Sequence, residues 1–174
     1  MIVDNHEISI DDWHPADETP WKEAAKNGWR TYSKYNQNYP EDTPVKGYRI
    51  MYRKDDTYHS PFVAQGISGI EEGKHLDEKT QRVGEVNTDT NNGLYFFADR
   101  NIAENYLVSL IHKEYLQIKA NRNYRPTGYI EIHEVEGYAA GRNSFGDEGD
   151  RMKEMYIHRE PVIAVGMHEI ISKI

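Results

Sequence analysis

The chain has 174 residues and a net charge of −8, from 29 acidic and 21 basic side chains, and 37 % of it is apolar. That length suits one domain with a sizeable core, and 13 Tyr, 3 Trp and 4 Phe supply the large buried surfaces a disordered chain lacks. The charge balance excludes general binding to nucleic-acid backbones, which needs clustered Lys and Arg, and the absence of cysteine excludes a disulfide framework, thiolate catalysis and cysteine-ligated zinc.

No apolar run is long enough to span a bilayer, and the start MIVDNHEISIDDWHP has neither the basic region nor the hydrophobic stretch of a signal peptide. The reading is a cytoplasmic protein with no membrane association. The negative field suits a basic protein partner, or serves solubility alone.

Residues 1–44 differ in texture, with Trp13, Trp21 and Trp29 and four of the prolines. Thr19-Pro20 reads as an N-cap and first helical position. Trp21, Ala24, Ala25 and Trp29 follow at helical spacing and predict a short amphipathic helix. This segment is expected to be an N-terminal extension, with the main domain over 45–174. Gly47 to Arg53 predicts the first strand. Short strands are expected near Phe62 and over 82–86, and Asn87 to Gly93 is a dense turn signal.

Leu94 to Ala98 reads as a buried strand and Asp99 as a helix N-cap. Ile102, Ala103, Tyr106, Leu107, Leu110, Ile111 and Ile118 then predict a helix over 100–120. Strands are expected over 129–135, 151–158, 161–166 and 168–174, with a glycine- and acid-rich loop over 141–150. Strands and helices that do not alternate as βαβ units indicate the α+β class.

Metal chemistry finds no support, since the 8 His show no HxxxH or HExxH spacing. Asn87 to Gly93 departs from a calcium loop by a misplaced glycine and a missing twelfth-position acid. Gly141 to Gly146 lacks the Lys-Ser/Thr of a P-loop, and no GxSxG elbow occurs.

The informative stretch is Gly93-Leu94-Tyr95-Phe96-Phe97-Ala98-Asp99, followed by Ala103-Glu104-Asn105-Tyr106. It resembles the strand-to-helix signature of the poly(ADP-ribose) polymerase and diphtheria-toxin branch of ADP-ribosyltransferases. Ten residues separate Tyr95 from Tyr106, as they separate the two tyrosines of that branch. The resemblance implies a split β-sheet core and NAD as substrate. It also implies that Tyr95 and Tyr106 sandwich the nicotinamide, which stacks well on aromatic faces. Both tyrosines equally suit a core position, on an apolar strand and an apolar helix stripe.

The stretch Arg151 to His158 resembles the strand bearing that family's catalytic glutamate. Alternation puts Glu154, Tyr156 and His158 on one face and Met155 and Ile157 on the other. Glu154 would then stabilise the positive charge that develops as nicotinamide leaves, or else be an exposed acid on an edge strand. The first strand departs from the branch, because Tyr48-Arg49-Ile50 holds no histidine. Tyr48 and Arg49 are the cofactor-binding candidates there, and Arg49 resembles the phosphate-anchoring arginine of the other toxin branch. The resemblance covers Val45 to Met167 and implies transfer of ADP-ribose to a protein or nucleic-acid acceptor.

GYR, GLYFFA, NYL and the segments around 129–135 and 153–161 also resemble short phage-encoded domains. That likeness implies an alternative role, a catalytically inactive module that binds and inhibits a host defence complex in the host cytoplasm.

Overall fold

The computed structural model describes residues 1–4, 6–9, 44–55, 57–59, 86–88, 94–138, 150–152, 154–158 and 160–174. In chain order the elements are β1 (Ile2–Val3), β2 (His6–Glu7), β3 (Val45–Lys54), β4 (Thr57–His59), β5 (Val86–Thr88) and β6 (Leu94–Phe96), then α1 (Arg100–Ala120). After them come β7 (Tyr129–Tyr138), β8 (Asp150–Met152), β9 (Glu154–Ile157), β10 (Ile163–Gly166) and α2 (Met167–Ile171). The protein is α+β, and each strand pairing among the described residues is antiparallel. The predicted Trp-rich helix and the short strand near Phe62 lie outside the described residues.

Two ten-residue strands, β3 and β7, form the spine, paired from Val45↔Gly137 to Arg53↔Tyr129. The other edge of β7 is shared: β10 lies against Tyr129 to Ile132, and β9 against Val135 to Tyr138. The free edge of β3 is shared too, with β4 at one end and an isolated bridge from Tyr48 to Phe97 at the other. One end of the sheet therefore continues through β10 to β1 and β2, and the other through β9 to β5. β1 and β2 are built into this sheet, since Ile2 and Val3 pair with Ala164 and Ile163 on one edge and with Glu7 and His6 on the other.

Alternation along β3 and β7 builds a core on each face. Ile50, Tyr52, Ile130, Ile132, Ile163 and Val165 pack under the stripe of α1. Val45, Met51, Val135, Met155 and Ile157 face the other way, against Leu94, Phe96 and Met152 of the β6–β8 ribbon. Asp99 caps α1 as the sequence predicts, its carboxylate accepting from the Asn101 N–H at 2.7 Å. The expected single strand over 151–158 is instead two, because Met152 serves the ribbon while Glu154 to Ile157 joins the main sheet. The expected final strand is the helix α2. Met167 and Ile170 are buried three positions apart, a helical spacing that a two-residue strand repeat cannot satisfy.

The α1 stripe includes one acid. Glu114, 1 % exposed, accepts hydrogen bonds from the Tyr52 hydroxyl at 3.2 Å and the Tyr124 hydroxyl at 2.8 Å. Burial raises its pKa above the usual carboxylate value, and the two hydroxyls only partly offset this. Burial and the adjoining Glu114 likewise hold the Tyr52 phenol well above its ordinary range.

Two predictions arise here. A raised folded-state pKa stabilises the fold below the ordinary value of 4.5, and that contribution is lost as pH rises through the folded value. Glu114→Gln, which keeps an acceptor for the tyrosines, is expected to remove this loss, measured as melting temperature against pH from 4 to 8 for both proteins. The second concerns Gly137, where a Cβ would overlap the Glu154 carbonyl oxygen and sit 2.6 Å from Met152 Sδ. Gly137→Ala is expected to destabilise by about 1–3 kcal/mol, measured by urea unfolding.

Candidate functional site

The register decides which predicted residues can meet. Tyr48 pairs with Glu134, and Arg49 with His133. Neighbours along a strand point to opposite faces, so Tyr48 and Arg49 cannot line one pocket.

Tyr48 is half-buried on the helix face, packed on the same core as Phe97 and Tyr106. Tyr106 is 9 % exposed, its ring centroid 5.5 Å from that of Phe97. It sits in the core, the bland alternative the sequence allowed. Tyr95 lies in β6 opposite Arg151 in the ribbon. Glu154 is exposed in β9, and the expected alternation is observed, with Met155 and Ile157 buried and Tyr156 exposed. Glu154 pairs with Tyr138, and Tyr156 with Glu136, which puts both on the helix face.

That face is covered by α1 only over the end of the sheet holding β10. Over the β9 end no element among the described residues covers it. One row across the strands reads Lys46, Glu136, Tyr156, and the next reads Tyr48 and Glu134 beside His158. Glu134, Glu154 and Tyr156 are exposed, while Glu136, Tyr48 and His158 are half-buried. The rings of Tyr156 and His158 meet edge to face at 5.4 Å. Among the described residues the result is an acidic surface that carries aromatic rings.

Arg49 belongs to a buried polar array on the opposite face. Glu131 and His133 are 1 % and 0 % exposed, and Arg49 is 2 % exposed. Glu131 Oε1 accepts from Arg53 Nε at 2.6 Å, and Oε2 lies 2.7 Å from His133 Nε2. His133 Nδ1 lies 3.0 Å from the His158 carbonyl oxygen. A carbonyl only accepts, so Nδ1 carries a proton. A second proton must lie between Nε2 and Oε2, because otherwise two lone pairs would face each other. Tyr58 packs edge-on against the imidazole at 5.0 Å, and the Arg53 guanidinium stacks over Tyr129 at 4.3 Å.

Burial alone would raise the Glu131 pKa, but the hydrogen bonds and charges of His133 and Arg53 outweigh it and hold the carboxyl below its ordinary value. Alternating Glu131 and His133 inside an apolar strand is a signal that reading the segment only as a strand passed over. Arg49 is the one member of the array singled out from sequence.

Among the described residues no group of three or more His, Asp or Glu could hold a metal ion, and no helix is long and apolar enough to cross a membrane. Comparison with protein-family models, characterised proteins and solved structures gave no match.

A lowered folded-state pKa stabilises above the ordinary carboxylate value of 4.5, and that contribution is lost as pH falls through the folded value. Glu131→Gln is expected to cost about 1–3 kcal/mol near neutral pH, since it keeps hydrogen-bonding groups at both positions but removes the buried charge that Arg53 and His133 share. The same variant should lose less further stability on acidification than the parent. Urea unfolding between pH 3 and pH 7 measures both effects.

Proposed function

We propose that this protein is a binding module whose open acidic face takes a basic segment of a partner protein. The observation that carries this reading is the grouping of Glu134, Glu136 and Glu154 with exposed Tyr156 and half-buried Tyr48 and His158 on one half-sheet that no element among the described residues covers. Carboxylates in a solvated rim steer a cationic partner and fix its register. Tyrosine faces then hold Lys or Arg side chains by cation–π contact and burial of their methylene stems. The net charge of −8 adds to the same field. Together with the likeness to phage-encoded domains, this supports a basic surface on a host protein complex as the partner.

The test uses an Arg/Lys-rich peptide of scrambled sequence as probe and the full chain labelled for NMR. Shifts confined to β7, β9 and Tyr48, weakening with added salt, are expected. Tyr156→Ala and Glu136→Lys should each reduce affinity about tenfold or more, as loss of a central anchor does. Shifts spread over the molecule, or variants that bind like the parent, would sink the idea.

A second reading is a NAD-dependent ADP-ribosyltransferase-like protein with a split sheet. It is favoured by the strand, cap and helix that form over Leu94 to Ala120, by a sheet divided across β3 and β7, and by Tyr48, Tyr106 and Glu154 sharing the helix face. On this reading Glu154 assists departure of nicotinamide and Tyr95 and Tyr106 hold the ring. Tyr106 would have to swing off Phe97 to admit a pyridine, and Arg49 would take no part in that cleft. Incubation with labelled NAD and host lysate decides it: label transfer or nicotinamide release that Glu154→Gln abolishes supports the transferase, and neither event refutes it.

A further inference from the structure

The ends of β9 and β10 meet along one edge of β7, and the ladder skips positions where they meet. His158 N–H donates to the Glu134 carbonyl at 3.1 Å, and Val162 N–H donates to the Ile132 carbonyl at 2.8 Å. One residue of β7, His133, therefore faces the whole gap between 158 and 162. An insertion of this size breaks the ladder and leaves backbone groups to be satisfied by other means. The His133 side chain supplies one of them, from Nδ1 to the His158 carbonyl oxygen at 3.0 Å. His158 is also a member of the open face, with its ring against Tyr156.

We propose that Glu131 and His133 form a proton-dependent latch that pins the β9–β10 bulge and thereby fixes His158 and Tyr156 on the open face. The latch works through position. With a proton between Nε2 and Oε2, the imidazole is held edge-on by the carboxylate and its Nδ1–H is aimed at the bulge. When that proton leaves, a ring lone pair faces a buried carboxylate, and the ring must turn or withdraw, releasing the His158 carbonyl.

The groups facing His133 among the described residues are Glu131 on its own strand, Arg49 and Arg53 on β3, Tyr58 on β4 and the His158 carbonyl after β9. Arg53 holds the other carboxylate oxygen at 2.6 Å. It thus keeps Glu131 oriented in both protonation states and leaves the imidazole as the moving part. The latch belongs to the free protein, whatever that face binds.

The experiment is an NMR titration of the full chain labelled with 15N-histidine, read together with amide exchange. In the latched state both ring nitrogens of His133 are expected to carry protons. As pH rises, the amides of Tyr156, His158 and Val162 should shift with the same midpoint as the His133 ring, and exchange at His158 and Val162 should accelerate about tenfold or more, the effect of losing one charge-assisted hydrogen bond. In Glu131→Gln the amide can donate to Nε2, so His133 should be protonated on Nδ1 only and the co-titration should vanish. A folded His133→Gln should show fast exchange at both amides at every pH. If that variant does not fold, the parent titration still decides. Bulge amides that ignore the His133 titration, or a Glu131→Gln protein that retains the coupled transition, overturn the latch.

Discussion

Everything in this molecule hangs on the unbroken antiparallel ladder between β3 and β7. Its register runs from Val45↔Gly137 to Arg53↔Tyr129, and each residue along it is committed to one of two faces. A slip by one position would bring Arg49, Glu131 and His133 under α1 and send Ile50, Ile130 and Ile132 to the other side. Both cores would fail together, so the register is fixed from both sides at once. Gly47 and Gly137 follow from the same constraint. A Cβ at Gly47 would lie 2.7 Å from the Phe97 carbonyl oxygen, and one at Gly137 would overlap the backbone of β9. Glycine at these two points lets flanking chain approach the ladder closely enough to extend it.

Buried charge is tolerated on one face because it is satisfied locally. Glu131 alone would be costly, since an isolated carboxylate does not survive desolvation. Arg53 and His133 occupy both its oxygens, and the imidazole's far nitrogen is spent on the backbone of the bulge. On the other face Glu114 accepts from two phenols, and these together with the charge of Lys113 do not offset its burial, so its carboxyl is pushed the opposite way. Two acids buried to the same depth are thus shifted in opposite directions, and the difference lies in the direct pairs that Glu131 makes with Arg53 and His133.

The local elements were legible in the sequence to the degree that one physical signal governed them. The helix over 100–120 followed from its stripe and from Asp99, and the β9 alternation followed from Glu154, Met155, Tyr156 and Ile157. What the sequence hid was long-range. Nothing local says that Met152 and Glu154 belong to different sheets, because that division is set by which distant strand each one meets. His168 to Ile174 misled because its apolar residues are few, and the burial of Met167 and Ile170 depends on α1 and β10 being there already. Of the candidate site the sequence names Tyr48, Arg49, Tyr95, Tyr106 and Glu154, but the parity that separates Tyr48 from Arg49 became decisive only once β7 fixed the faces.

That parity also bears on which ligand the open face favours. A dinucleotide lying over β7 and β9 would bring its pyrophosphate towards Glu134, Glu136 and Glu154, while the buried arginine that could neutralise it points through the sheet to the other side. Each carboxylate–phosphate approach to about 4 Å costs about 1 kcal/mol even in water, and more where water is excluded. Lys46, opposite Glu136, offsets one such term. A cationic side chain reverses every sign, and it finds in Tyr156 and Tyr48 faces that a phosphate cannot use. The balance of charge on this half-sheet therefore favours a basic partner over a nucleotide.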